Sequence, residues 1–292
     1  MGESMTTIFH RMVQIRHAGT LRPCCLLILL GMACSSLLFT PAVRTVSAEG
    51  PVTIYFYSSE TNINNYKALK MEFDSYLSKA GSYEFQPFSD IDTFERQIRK
   101  GADHLLLLSS WHFNRIQDDL HLNPVLVGIR EGKMFQQRVL VAGPGSRGLA
   151  GLGSGPVASA SNAQHTRSVL KEMFEEDDKA EALRILTVPK DVDALMSVGF
   201  QMAKAAVTTE NALKNLENLD PVLFQRIQVV AESRPSLLLI LAAPAGKEAD
   251  MQGLIRTMQE MPGDPAGLNA LKMLDLDDWQ TIEPSDAPEL EG

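Results

Sequence analysis

Three apolar runs separated by two helical patterns constrain what this chain can fold into. Val52–Tyr57 reads VTIYFY, a β-branched and aromatic stretch with the character of a buried strand. From Tyr66 to Leu77 an amphipathic helix is expected, with Leu69, Phe73 and Leu77 on one stripe. Tyr83–Phe88 alternates as a second strand, Asp92–Ile98 is a short helix stopped by Lys100-Gly101, and Leu105–Leu108 is an unbroken apolar strand. This β-α-β-α-β run predicts a parallel sheet with right-handed crossovers. Ligands on such sheets bind beyond the carboxyl ends of the strands. The loops after Tyr57 (Ser58-Ser59-Glu60-Thr61) and after Leu108 (Ser109-Ser110-Trp111-His112) both fall at that edge.

Further along, Asn123–Ile129 and Phe135–Ala142 read as a strand pair around Gly132-Lys133. The glycine-rich segment 143–155 then reads as a crossover, and Pro156-Val157-Ala158 is a short strand. Ser159, Ser161 and Asn162 follow it and precede a helix marked by Val169, Leu170, Met173 and Phe174. Ser161 or Asn162 is a suitable N-cap, and small hydroxyl residues before a helix N-terminus form an anion cradle from free N–H groups and the helix dipole. A plain strand–loop–helix turn with ordinary caps is the competing reading. Strands are expected at 183–188, 205–207, 224–231 and 236–242, and helices at 191–202, 211–219, 252–261 and 266–274.

Catalytic signatures are absent from this pattern. Outside the first 48 residues the histidines are His104, His112, His121 and His165, with no i, i+4 pair and no His-Glu-x-x-His. An approach of His112 and His121 on separate loops is the one metal arrangement the spacing leaves. His165 lies one turn into the cradle helix, where it adds charge as a cation or a single hydrogen bond as a neutral ring. Ser109 and Ser110 lack a Gly-x-Ser-x-Gly elbow, and the glycine-rich crossover has neither G-x-G-x-x-G nor a following Lys-Ser/Thr. Trp111 either stacks on a ligand or fills the core beneath its loop.

The first 48 residues have the three-part plan of a secretory leader. Arg11, Arg16 and Arg22 precede an apolar core from Cys24 to Phe39, and Val46-Ser47-Ala48 is a small-x-small site, so cleavage is expected after Ala48. The apolar run is shorter than the roughly 20 residues of a membrane span. Gly31-Met32-Ala33 is a poor lipoprotein box before Cys34, which disfavours lipid anchoring there. Cys24, Cys25 and Cys34 are the only cysteines, so the mature chain would carry neither a disulfide nor a thiolate. Residues 49–292 hold 23 basic and 35 acidic side chains, a net of −12, which argues against nucleic acid or an anionic membrane as partner. A small anion is still compatible, because backbone N–H groups bind one locally. The acidic tail 283–292 is expected to be disordered.

Several segments together resemble periplasmic solute-binding proteins of the phosphate/phosphonate-binding type. Gly148-Leu149-Ala150-Gly151-Leu152 takes the place of the family's sLaDLkGkrvA segment before its Ser/Thr-rich turn. Asp191–Val207 resembles its da-al-x-x-G-x-x-Daa segment, with Lys204 where Asp is usual. Ala231-Glu232-Ser233-Arg234-Pro235 resembles aeS-x-piP, and Asp277–Gln280 the closing element. The resemblance implies a two-lobe α/β fold of the type II periplasmic-binding class, with a mixed sheet in each lobe. Lobe I would comprise 51–141 and 232–282 and lobe II 142–231, joined by hinges near Leu140–Pro144 and Val230–Ser236. It implies a monomeric binding protein without cofactor or catalysis, holding a small oxyanion for an ABC permease. A sensory or accessory protein with another ligand, an organic solute or a metal, is the alternative, and an enzyme on this scaffold is third. The expected anion core is Ser159, Ser161, Asn162, His165 and Thr166, faced by Tyr57, Ser58, Ser109 and Ser110, with Thr208 closing from the side.

Overall fold

The computed structural model describes residues 50–60, 65–101, 103–143, 151–152, 155–174 and 177–282. The expected leader, Thr61, Gly148–Ala150 and the tail lie outside the described residues. The chain opens with β1 (Val52–Tyr57), α1 (Tyr66–Leu77), β2 (Tyr83–Pro87), α2 (Ile91–Ile98), β3 (His104–Leu108), α3 (Ser110–Leu120), β4 (Leu122–Ile129) and β5 (Phe135–Gln136). A second group follows: β6 (Arg138–Ala142), β7 (Val157–Ser159), α4 (Ala163–Phe174), α5 (Asp177–Ala182), β8 (Ile185–Thr187), α6 (Asp191–Gly199), β9 (Ala205–Thr209), α7 (Glu210–Leu219), α8 (Pro221–Arg226) and β10 (Gln228–Glu232). The chain then returns through β11 (Ser236–Leu237), β12 (Ile240–Pro244), α9 (Gln252–Gln259), α10 (Pro265–Met273) and β13 (Asp278–Thr281).

Two mixed sheets organise these elements, in the orders β13-β4-β12-β3-β1-β2 and β10-β6-β9-β7-β8. In the first, β1 pairs in parallel with β2 and β3, as the alternating run requires, and β12 closes antiparallel on β3. Every residue of β3 is buried, because helices cover both faces of the sheet. On one face Phe73 of α1 stacks on Phe85 with centroids 3.9 Å apart. On the other, Phe94 of α2 and Phe113 of α3 pack against Leu106 and Leu108. In the second sheet β7 pairs in parallel with β8 and β9, and β6 runs antiparallel to β9 and β10.

Four local expectations are corrected. Residues 135–142 are not one strand paired with 123–129: β4 pairs with β12 and β13, β5 pairs with β11, and β6 belongs to the second sheet. The first crossing therefore falls at Gln137, before the strand, rather than at Leu140–Pro144, because the apolar run VLVA is needed in the second core. Of the strand expected over 224–231, Phe224–Arg226 instead end a helix that starts at Pro221, and Gln228 onward is extended. Asp220 accepts from the Leu223 N–H at 2.9 Å and Pro221 occupies the first turn, where its missing donor costs nothing. Segment 236–242 is divided between β11 and β12. Ser109 ends its loop at once, since its hydroxyl accepts from the His112 N–H at 3.4 Å and caps α3.

α10 carries the Lys272–Leu276 turn toward the space between the sheets, and its seating depends on Gly267. A Cβ there would stand 2.4 Å from the Met261 carbonyl oxygen and 2.8 Å from the Met261 Cα. Those atoms are backbone and cannot swing away. Gly267→Ala is expected to lower stability by roughly 1–3 kcal/mol, measured by equilibrium urea unfolding. An unchanged midpoint would show that α10 can slide without cost.

Candidate functional site

The carboxyl ends of β1 and β3 face the β7–α4 turn of the second lobe, and the two sides touch. Asn162 is central to this seam. Its side-chain oxygen accepts from the His165 N–H at 2.8 Å, which caps α4. Its amide nitrogen then points outward and donates to the Tyr57 hydroxyl at 3.0 Å, while its backbone N–H donates to the Ser59 carbonyl at 2.9 Å. Ser161 Oγ donates to the Glu60 carbonyl at 3.2 Å. Ser59 and Ser109 join hydroxyl to hydroxyl across the first sheet. The His165 ring lies 5.2 Å from the Trp111 ring, which Arg115 covers at 5.4 Å.

Of the ten expected site residues, Tyr57, Ser109, Ser161, Asn162 and His165 meet at this seam directly or through Ser59. Ser159 supports the turn, accepting from the Ser161 N–H at 3.2 Å. Thr166 Oγ1 donates to the Asn162 carbonyl at 2.9 Å, Ser110 Oγ to the Leu237 carbonyl at 2.9 Å, and Thr208 Oγ1 to the Asp191 carbonyl at 3.4 Å. Those three hydroxyls serve the scaffold. Ser58 alone of the ten lines the adjoining cavity. His112 and His121 are not loop residues: the first is buried in α3 with Nε2 3.1 Å from Glu95, and the second is the left-handed cap that ends α3. Among the described residues no group of three His, Cys, Asp or Glu is placed to hold a metal ion.

The cavity has a volume of about 740 Å³ and lies between the lobes. Its charged floor is a triad. Arg138, 2% exposed, reaches the Glu60 carboxylate and the Asp191 carboxylate at 3.5 Å each, and the Glu60 carbonyl at 3.4 Å. Gln136 donates to the same Glu60 carboxylate oxygen, Oε2, that Arg138 contacts. Arg138 Nε and His165 Nδ1 are buried without a hydrogen-bond partner. Burial raises both Glu60 and Asp191 above the usual carboxylate range, and the guanidinium beside them only partly offsets it. With Arg130, Lys190 and Lys272 against Asp275 added, the lining has four cations and three anions. A local excess of one positive charge thus stands in a chain of net −9. Ser59, Glu60, Gln136, Arg138 and Asp191 were not singled out from the sequence. The available signals were an arginine inside the apolar strand FQQRVLVA and an acid in the loop after Tyr57.

Residues 54–287 match the family described as ABC transporter, phosphonate, periplasmic substrate-binding protein. The chain belongs to this family. It is therefore a substrate-binding protein and not an enzyme, of a periplasmic class that serves ABC transporters through a small ligand. Solved structures agree in fold. The binding component of an ABC phosphonate transporter from Pseudomonas aeruginosa is 15% identical, with a TM-score of 0.60 over 83% of this chain and 86% of that one. A Prochlorococcus marinus protein in complex with methylphosphonate is 11% identical, with a TM-score of 0.60 over 82% and 95%. A Xanthomonas citri protein bound to ATP is 14% identical, with the same TM-score over 83% and 95%. No curated protein sequence matches the chain significantly.

Burial holds the His165 imidazole down to about 3, with Arg138 adding to the effect. The folded protein of this substrate-binding family thus keeps that ring neutral, whereas the unfolded chain protonates it near the free histidine value of about 6.5. Below that value the unfolded state binds the extra proton, so stability is lost as pH falls from about 6.5 toward about 3. His165→Gln is expected to lose less stability than the parent between pH 7 and pH 5, read by urea midpoints. Equal losses would place the acid sensitivity elsewhere.

Proposed function

We propose that this chain is an exported binding protein that captures a phosphonate-like oxyanion between its lobes and delivers it to an ABC importer. The observation that carries the reading is Arg138, a buried guanidinium at the interlobe cavity with an unpartnered Nε–H. A buried donor without an acceptor costs about 1–3 kcal/mol. An oxyanion satisfies it with a charge-assisted bond, and the planar fork suits phosphonate oxygens. Ser161 and Asn162 reach the opposite lobe through the Glu60 carbonyl and the Tyr57 hydroxyl, so one of the bonds that join the lobes holds the backbone of Glu60, a cavity-lining residue. Glu60, with its carboxyl raised, takes up a proton more readily than a free acid and so repels the incoming anion less. The family and the methylphosphonate complex of the Prochlorococcus marinus relative support the choice of ligand class.

Titration calorimetry with methylphosphonate is the direct test. Binding is expected for the parent, and Ser161→Ala, which removes the second lobe's bond to the Glu60 carbonyl, should weaken it by roughly 0.5–1.5 kcal/mol. Arg138→Gln leaves two buried carboxylates uncompensated, so Arg138→Lys, which keeps the charge but loses the fork, is the second variant. It too should weaken binding by at least tenfold. Methylphosphonate, phosphate and larger alkyl- and arylphosphonates all failing to bind, or binding unaffected by these variants, would overturn the reading.

Export is proposed to remove the first 48 residues. N-terminal sequencing of the chain recovered from the periplasm is expected to begin at Glu49, and an N-terminus at Met1 or a lipid-modified Cys34 would contradict it.

A further inference from the structure

The shape of the cavity says more about the ligand than its charge does. The volume of about 740 Å³ lies in the upper part of the range of roughly 300–1,000 Å³ spanned by small-molecule sites. A phosphonate headgroup with a single methyl would fill a small part of it. The remaining wall is largely apolar and comes from both lobes: Leu239 and Leu274 from the first, Val192 from the second, and Met273 at the rim. Met273 is 37% exposed, one of the few large apolar side chains held toward solvent among the described residues. A methionine in that place is adaptable, since its unbranched thioether fits surfaces of different shape. Asn211 and Asn215, one turn apart on α7, also line the space.

Resting on the reading of Arg138 as the oxyanion's partner, we infer that the ligand is an organic phosphonate or phosphate monoester with a bulky, largely apolar substituent. The headgroup sits at Arg138 on the charged floor. The substituent lies along Leu239, Leu274 and Met273, and any polar edge it carries faces Asn211 and Asn215. An apolar wall left in water is unfavourable, and covering it releases that cost roughly in proportion to the area removed. Methylphosphonate and inorganic phosphate leave it uncovered.

The experiment is calorimetry on the purified chain with inorganic phosphate, methylphosphonate, butylphosphonate and phenylphosphonate. Affinity is expected to rise about three- to fourfold per added methylene from methyl to butyl, with phenylphosphonate tighter than methylphosphonate. A charged rim should reverse that preference: Met273→Glu is expected to lower the affinity ratio of phenylphosphonate to methylphosphonate at least tenfold. Met273→Ala, which places no charge there, should lower the same ratio less. Methylphosphonate or phosphate binding as tightly as the butyl and phenyl compounds would overturn this inference while leaving the oxyanion reading standing. An unchanged ratio in both Met273 variants would also overturn it. Failure of all four probes to bind would overturn the oxyanion reading and this inference with it.

Discussion

Arg138 enters the second sheet as the first residue of β6 with its guanidinium out of contact with water, and a charge in that position must be compensated where it lies. The compensation is drawn from both lobes, Glu60 from the loop after β1 and Asp191 from the N-terminus of α6. Removing one member of such a group leaves an uncompensated buried charge at a cost of about 3–5 kcal/mol. The contacts are long, 3.5 Å each, and burial still pushes both acids up, so the triad is held together without being tightly paired. An ion cluster of this kind is suited to exchanging partners.

The seam above the triad is built economically. Asn162 uses its oxygen to end the β7–α4 turn and its nitrogen to reach the other lobe, so the geometry of a helix cap sets the geometry of an interlobe contact. Each such neutral bond contributes on the order of 0.5–1.5 kcal/mol. The Asn162, Ser161 and Ser59 bonds together hold the lobes with an energy that ligand contacts can match. His165 and Trp111 add a ring contact at the same border, with the imidazole kept neutral by its surroundings.

Much of this arrangement was legible before any coordinates. The alternating run from Val52 to Leu108 is long, strongly patterned and local, and β1, α1, β2, α2 and β3 follow it closely. The turn at Ser159–Asn162 is likewise a local event, since a helix start is signalled within a few residues. What escaped was non-local. Ser110, Thr166 and Thr208 look like available donors in a string of letters, but each is taken up by a backbone carbonyl nearby or across the lobe. The division of FQQRVLVA between a two-residue strand and a strand of the second sheet depends on which core receives Val139, Leu140 and Val141, and no periodicity carries that information. Residues 224–231 combine β-branched side chains with an aspartate–proline helix start just upstream, and the cap prevailed over the propensity at 224–226, while 228–231 joined β10.

The two passages between the lobes are not separate threads. Before the first crossing β5 is zipped to β11, with Phe135 opposite Leu237 and Gln136 opposite Ser236. Just beyond it the Arg138 N–H donates to the Ser233 hydroxyl at 3.1 Å, and the Ser233 N–H donates to the Arg138 carbonyl at 2.8 Å. Two ropes would let one lobe twist, slide or swing against the other. A ribbon laced along its length bends easily about one line and resists the rest. Opening is thereby confined to something near a single angle, few orientations exist to be given up on closing, and the surfaces that must meet arrive already in register.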